Sequence, residues 1–274
     1  MIQDIYPHKL FNEYHPGLRA DGESIVISFR NNQVLICGEL LPKAKDLSGY
    51  NPDSLIYLFS IDGENNYFLL EESDGLIIPD GYEYIDIKDL RRANMTKKYR
   101  VFVIFTAIQL ANWYRNNKYC GRCGQPTHLD EKERAIRCNC GNIIYPRIVP
   151  AVIVGIRNKD KILVTKYRVG YSNYALVAGF TEIGETLEET VAREAMEETG
   201  LKVKNITYYK SQPWGIVDDL LAGFYCEVDG DDTITMDKSE LKVAEWKTRD
   251  EIDLQPDDFS LTNEMMKRFK DGLI

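Results

Sequence analysis

Between Gly179 and Leu201 the sequence reads GFTEIGETLEETVAREAMEETGL. Within it Glu194, Glu197 and Glu198 fall at i, i+3 and i+4, the spacing that gathers side chains on one face of a helix. Three carboxylates held that close repel one another by a few tenths of a kcal/mol per pair. Something cationic should offset the repulsion. Hard carboxylate oxygens on one face suit Mg²⁺ or Mn²⁺, which prefer oxygen ligands and keep waters or substrate phosphates in their shells. Glu185 and Arg193 flank the cluster. The plain alternative is a solvated, glutamate-rich face, and the combination of fixed offsets outweighs it.

A second set of chemistry-bearing residues is made of cysteines. Of the six, Cys120, Cys123, Cys138 and Cys140 crowd into one short stretch, while Cys37 and Cys226 stand alone in apolar segments and read as inert core residues. In a chain that shows no secretory leader, clustered cysteines are metal ligands rather than disulfides. Two knuckles across a short hairpin are the sequence form of a tetrahedral Cys₄ zinc ribbon, in which the metal replaces a hydrophobic core. The second knuckle is Cys-x-Cys, tighter than the usual Cys-x-x-Cys. A metal-free hairpin, or His128 as a substitute ligand, therefore stays open. Four thiolates leave no open coordination position, so a catalytic zinc is not expected.

The elements that must position these residues can be read locally. Thr186 with Glu189 is a capping box and Gly200 a C-terminal stop, so the spacing predicts a helix over 187–199. Ala192, Ala195, Met196 and Thr199 would form its packing stripe. Apolar runs at 151–156 and 161–167 predict a hairpin around 157–160. Residues 174–178 lead into the glutamate segment, strands follow at 202–210 and 220–228, and a closing helix covers 260–270. Strands with an intervening and a terminal helix suit a mixed sheet between helices. Upstream, runs at 24–29, 33–37, 55–61 and 67–70 predict an antiparallel, meandering sheet, and 99–117 is spaced as a helix leading into the first cysteine pair. His8 and His15 read as surface or turn residues, and the residues before position 98 carry no catalytic constellation. Three parts result: a β-rich N-terminal domain (1–98), a linker helix and zinc ribbon (99–145), and a catalytic α+β domain (146–274).

Composition sets the outer limits. The net charge of -9 argues against non-specific nucleic-acid binding, whose affinity comes from Lys and Arg on phosphates. A local basic patch stays compatible with it. No apolar run reaches the roughly 18 residues of a membrane helix, and the first twenty residues lack a signal peptide's order of basic then apolar residues. A cytoplasmic protein is expected.

The glycine, Glu185, Arg193-Glu194 and Glu197-Glu198 at their offsets make the segment a Nudix box. The order of N-terminal domain, ribbon and box, with Ser211-Gln212-Pro213-Trp214 ten residues beyond Leu201, resembles the NADH pyrophosphatase (NAD diphosphatase) family from about residue 107 onward. The resemblance implies a Nudix α/β/α sandwich and cleavage of the pyrophosphate of NAD(H) to nicotinamide mononucleotide and AMP, with removal of NAD caps from RNA as an added activity. It implies that Glu194, Glu197, Glu198 and Glu240 hold Mg²⁺ or Mn²⁺, that Glu185 and Arg193 orient them, and that Glu198 takes the proton from water. Phe180 would stack on a base, while Trp214 and Tyr145 would line a pocket shared across a homodimer. Asp219 and Thr262 complete the expected substrate-side residues, and the four clustered cysteines match zinc ligands. Where the family has a small hydroxyl residue after SQPW, this chain has Asp219. That carboxylate could repel a phosphate or bind a hydroxyl, which leaves NADH, NAD⁺ and ADP-ribose open as substrates. A nucleotide-sensing regulator without turnover is the alternative of a different class, and the intact glutamate set speaks against it.

Overall fold

The computed structural model describes all residues except 72–74, 91–96 and 171, and the described chain divides into two compact units. One unit holds residues 3–147 with 215–217; the other holds 1–2, 148–214 and 218–274.

In the first unit, strands β1 (Leu10–Phe11), β2 (Ile25–Arg30), β3 (Gln33–Ile36), β4 (Leu55–Ile61), β5 (Asn65–Leu70) and β6 (Glu83–Asp86) form one sheet in the order β1-β4-β5-β2-β3-β6. The expected strands are present, but the sheet is not an antiparallel meander. β2 pairs with β5 in parallel, Ile25 opposite Tyr67 through Ser28 opposite Leu70. The segment between β3 and β4 has to cross over for that, and short alternating runs in a sequence do not encode such an order. A short helix, α1 (Ile87–Leu90), precedes α2 (Lys98–Asn116). Helix α2 is buried on several sides, from Val101 and Phe105 to Trp113 and Tyr114, as expected of a helix that serves as core rather than cover. The ribbon follows as β7 (His128–Leu129), β8 (Ile136–Arg137) and β9 (Ile143–Ile144). Tyr14 donates to the Asp130 carbonyl and Arg134 to the Leu58 carbonyl, joining the ribbon to the N-terminal sheet within this unit.

The second unit is a mixed sheet with a helix on each face. Its strands are β10 (Val149–Asn158), β11 (Lys161–Tyr167), β12 (Val177–Phe180), β13 (Val203–Trp214), β14 (Asp219–Val228) and β15 (Leu241–Thr248), in the order β13-β14-β10-β11-β15, with β12 also on β10. β10 and β14 run parallel and the other pairs antiparallel. Helix α3 (Leu187–Thr199) covers one face over Val152, Val154, Leu163, Val177 and Phe224, and α4 (Leu261–Lys270) covers the other over Ile153, Val164 and Tyr225. This is the α/β/α sandwich that the sequence implied. Strand β15 carries little periodic signal in the sequence, since its run is interrupted by Lys242, Glu245 and Lys247. No helix among the described residues is long and apolar enough to cross a membrane.

Candidate active site and thiolate cluster

Helix α3 has the predicted limits because both ends are fixed by local bonds. The Thr186 side chain accepts from the Glu189 amide and Glu189 reaches back to the Thr186 amide; Gly200 closes the helix at φ 72°. Its buried side differs from the expected stripe. Ala192 is exposed and Met196 is 40% exposed, whereas Val191, Ala195 and Thr199 are buried together with Glu194 and Glu198. Val191 thus packs inward where Ala192 and Met196 were expected to, and two carboxylates lie on the buried side with it.

Room for one of them is made by Gly179. A Cβ at that position would lie 1.9 Å from the Glu194 carboxyl carbon, so the strand backbone approaches the carboxylate in a way only glycine permits. Arg193 organises the exposed side of the cluster. Its Nε donates to Glu185 Oε1 (2.6 Å) and its Nη2 to Glu185 Oε2 (2.9 Å), a bidentate pair. Nη1 donates to Glu194 Oε1 (2.7 Å) and Glu197 Oε2 (2.9 Å), and Nη2 also reaches the Phe180 carbonyl (2.8 Å). Arg193 therefore supplies part of the cation that the carboxylates require. The hydrogen bond from Arg193, joined by the Glu182 amide, holds Glu185 down at about 2. Thr190 and the Glu182 amide donate to Glu185 Oε2, which ties the 180–185 loop to the helix.

Glu198 is left out of the arginine's reach. It is 2% exposed, and its Oε2 has no hydrogen-bond partner among the described residues. Burial first, then the charges of Glu194 and Glu240, push it up to about 8, against the pull of the Tyr167 hydroxyl. Burial likewise raises Glu194. Glu240 is exposed, and its loop is tied to the end of α3 by the Asp237 amide on the Glu198 carbonyl (2.9 Å). An orphaned buried oxygen that feels the charges of two further carboxylates suits a hard divalent cation, although among the described residues only the four cysteines already stand within one ion's reach. Glu194, Glu197, Glu198 and Glu240 could hold Mg²⁺ or Mn²⁺, with the carboxylates ionised by the metal.

The residues expected to meet the substrate lie on the opposite face. Val177 and Gly179 of β12 point toward α3, so Ala178 and Phe180 point toward α4. Phe180 pairs with Ala151, Ala151 with Leu221, and Leu221 with Gln212; one step along, Val149 pairs with Asp219 and Asp219 with Trp214. Phe180, Trp214 and Asp219 thus share the α4 face. Phe180 is 54% exposed, Asp219 is buried and Trp214 half-buried. Thr262, half-buried, sits in the first turn of α4. Tyr145 belongs to the other unit, where its hydroxyl donates to Glu133 (3.1 Å).

Two working residues escaped the sequence reading. Gln212 is fully buried; its Nε2 donates to the Phe259 carbonyl and its Oε1 accepts from the Leu261 amide, both at 2.7 Å, pinning the start of α4 to β13. Tyr167 donates to Glu198 Oε1 (3.2 Å). Strand alternation puts it with Leu163 on the α3 side, which is a signal, but nothing local says that a glutamate waits there.

In the ribbon the four cysteine sulfurs lie within 4.8 Å of one another, with Cys120 to Cys140 at 3.7 Å and Cys123 to Cys138 at 3.4 Å. A tetrahedral Zn–S₄ centre has bonds of about 2.3 Å and hence sulfur separations of about 3.8 Å. The short second knuckle is accommodated by Gly141 at φ 87°, whose amide bonds the Cys138 carbonyl. The Arg122 amide first, with the Cys123 amide, Asn142 and Cys140, holds the Cys120 thiol down at about 6. The thiols fit a structural zinc, and His128 lies on exposed β7 outside the cluster.

The sandwich and its glutamate helix fit the class that the comparison gives: residues 146–269, somewhat under half of the chain, match the family model of the NUDIX domain. Residues 115–145 match the family model of the NADH pyrophosphatase zinc ribbon domain. Among curated proteins, the NAD-capped RNA hydrolase NudC of Klebsiella pneumoniae (strain 342) is 47% identical over 154 residues, covering 54% of this chain and 58% of the relative. The protein of the same name from Salmonella typhi is 45% identical over 152 residues, with the same shares covered. The chain thus spans somewhat more than half the length of these relatives. A solved structure, a NUDIX hydrolase from Nitrosomonas europaea, aligns with a TM-score of 0.49 at 23% identity, covering 56% of this chain and 90% of that one.

Proposed function

We propose that the protein hydrolyses the pyrophosphate bond of NAD(H), releasing AMP and nicotinamide mononucleotide, and removes NAD caps from RNA by the same cleavage. The observation that carries the hydrolytic part is the orphaned Glu198 Oε2 among the Glu194 and Glu240 carboxylates. The substrate is supported by the NADH pyrophosphatase ribbon and by the relatives' name. Mg²⁺ or Mn²⁺ bound there would neutralise phosphate charge and lower the pKa of a bound water. Glu198 Oε2 takes the proton from the attacking water, directly or through a second water, as the P–O bond to the leaving phosphate breaks. Arg193 holds Glu194, Glu197 and the Glu185 loop in register while that happens.

Phe180 and Trp214 offer flat apolar faces to a base, with Asp219 and Thr262 at the polar edge. Because Phe180 follows Gly179 directly, a dinucleotide bent over the end of β12 can place its base on one face and its phosphates toward the other. The chain forms a homodimer, to which Tyr145 and Trp214 each contribute an aromatic side chain, and the reduced thiols of the ribbon suit the cytoplasm. The test is product analysis with Mg²⁺ or Mn²⁺ on NADH, NAD⁺, ADP-ribose and NAD-capped RNA. AMP and nicotinamide mononucleotide from NAD(H), lost in Glu198→Gln, are expected. Hydrolysis of ADP-ribose with NAD(H) left intact would overturn the substrate reading.

A further inference from the structure

The arginine that fixes Glu185, Glu194 and Glu197 sends its donors to those residues and to the Phe180 carbonyl, and Glu198 feels the Ala178 backbone amide instead. The side-chain donor to Glu198 comes from another element. Tyr167 ends β11, and its hydroxyl lies 3.2 Å from Glu198 Oε1 and 3.4 Å from the Ala178 carbonyl. A phenol has one proton to give, and an ionised carboxylate is the stronger acceptor.

Regular alternation along β11 puts Tyr167 on the α3 side with Leu163. The pairing of β11 with β15 shifts register after Lys166, so that Tyr167 faces Leu241 and one extra residue, Lys242, is taken up in β15. The bulge belongs to β15 and re-aims side chains there, at the end next to Glu240. It also sets the Arg168 amide on the Glu240 carbonyl (2.9 Å), drawing the Glu240 loop toward the same corner. Two elements therefore meet α3 at Glu198: β11, through the Tyr167 hydroxyl, and the loop before β15, through the charge of Glu240. The oxygen contacted by Tyr167 is Oε1, and the one left without a partner is Oε2.

We propose that Tyr167 is a positioning residue for pyrophosphate cleavage, holding Glu198 by Oε1 so that Oε2 is the oxygen presented to the metal and the attacking water. The proposal rests on the catalytic reading of Glu198 given above. A tyrosine kept only for packing would be replaced by phenylalanine without consequence. Tyr167→Phe is instead expected to lower kcat about tenfold and raise the half-saturating Mn²⁺ concentration about tenfold, with KM for NADH within about twofold of the parent.

The deciding measurement is a double-mutant cycle read by Mn²⁺ binding through electron paramagnetic resonance. In the Glu198→Gln background Tyr167→Phe should weaken Mn²⁺ no further, because the group it positions is gone. A further weakening there, or parental kcat and Mn²⁺ affinity in Tyr167→Phe alone, would overturn the proposal. Tyr167→His keeps a donor and should recover part of the loss, and it carries the same comparison if the phenylalanine variant does not fold. The underlying reading fails differently: Glu198→Gln would itself keep parental hydrolysis and Mn²⁺ affinity.

Discussion

Replacing Gly179 by alanine separates the fold from the chemistry. The new Cβ would stand 1.9 Å from the Glu194 carboxyl carbon, 1.9 Å from Oε1 and 2.3 Å from Oε2. Ordinary contact begins near 3.4 Å, so the carboxylate has to retreat by about 1.5 Å. It can do so, being the end of a flexible side chain, but the 2.7 Å bond from Arg193 Nη1 is then lost. A hydrogen bond to a charged group is worth about 1.5–3 kcal/mol, and alanine for glycine in an extended segment returns about 0.4–1 kcal/mol through the unfolded chain. The net cost is about 1–2 kcal/mol, a drop of several degrees in Tm. Displacing a reacting group by more than 1 Å costs on the order of a hundredfold in rate. Gly179→Ala should therefore melt within several degrees of the parent by circular dichroism and lose at least about a hundredfold in kcat at saturating Mg²⁺. A folded variant with parental kcat would refute the placement of Glu194 as functional; a variant that cannot fold would refute the claim that the side chain can give way.

Glu198, raised from 4.5 to about 8 in the folded chain, makes the metal-free native state bind more protons than the unfolded one, so in the presence of chelator stability should fall as pH rises from about 5 to 8. The ceiling is about 5 kcal/mol, from ~3.5 pKa units at ~1.4 kcal/mol each. Urea melts should show this slope disappearing in Glu198→Gln, and a flat profile in the parent would refute it. Protein purified without chelators should contain about one zinc per chain, and stripping it should expose four thiols and lower Tm; four freely titrating thiols with an unchanged melt would contradict a structural zinc. Gln212→Leu leaves the Phe259 carbonyl and the Leu261 amide buried without their partner, so about 2–4 kcal/mol should be lost in chemical denaturation, and a loss under about 0.5 kcal/mol would show that the clip is idle. If Asp219 disfavours the nicotinamide half, Asp219→Ser should raise kcat/KM on NADH relative to ADP-ribose. A fall in that ratio would make Asp219 a specificity residue instead.

Much of the site was settled by the sequence alone, because it depends on forces between residues a few positions apart. Thr186, Glu189 and Gly200 set both ends of α3, the i, i+3 and i+4 offsets set the carboxylates on it, and the two cysteine knuckles set the ribbon. The expected strands of the catalytic unit also appear, since alternation along a strand is local. What the sequence could not say is which side of α3 is buried. Small and apolar residues mark a stripe through Ala192 and Met196, yet those two are exposed, and Val191, Glu194 and Glu198 are buried instead. Only the tertiary structure brings Gly179 under Glu194, Tyr167 onto Glu198 and Gln212 onto the start of α4. It alone decides the parallel pairings of β2 with β5 and β10 with β14. Each of these joins residues from distant parts of the chain, and their meeting is fixed by strand order, register and a bulge in β15, which are properties of the closed sheet and not of any segment in it.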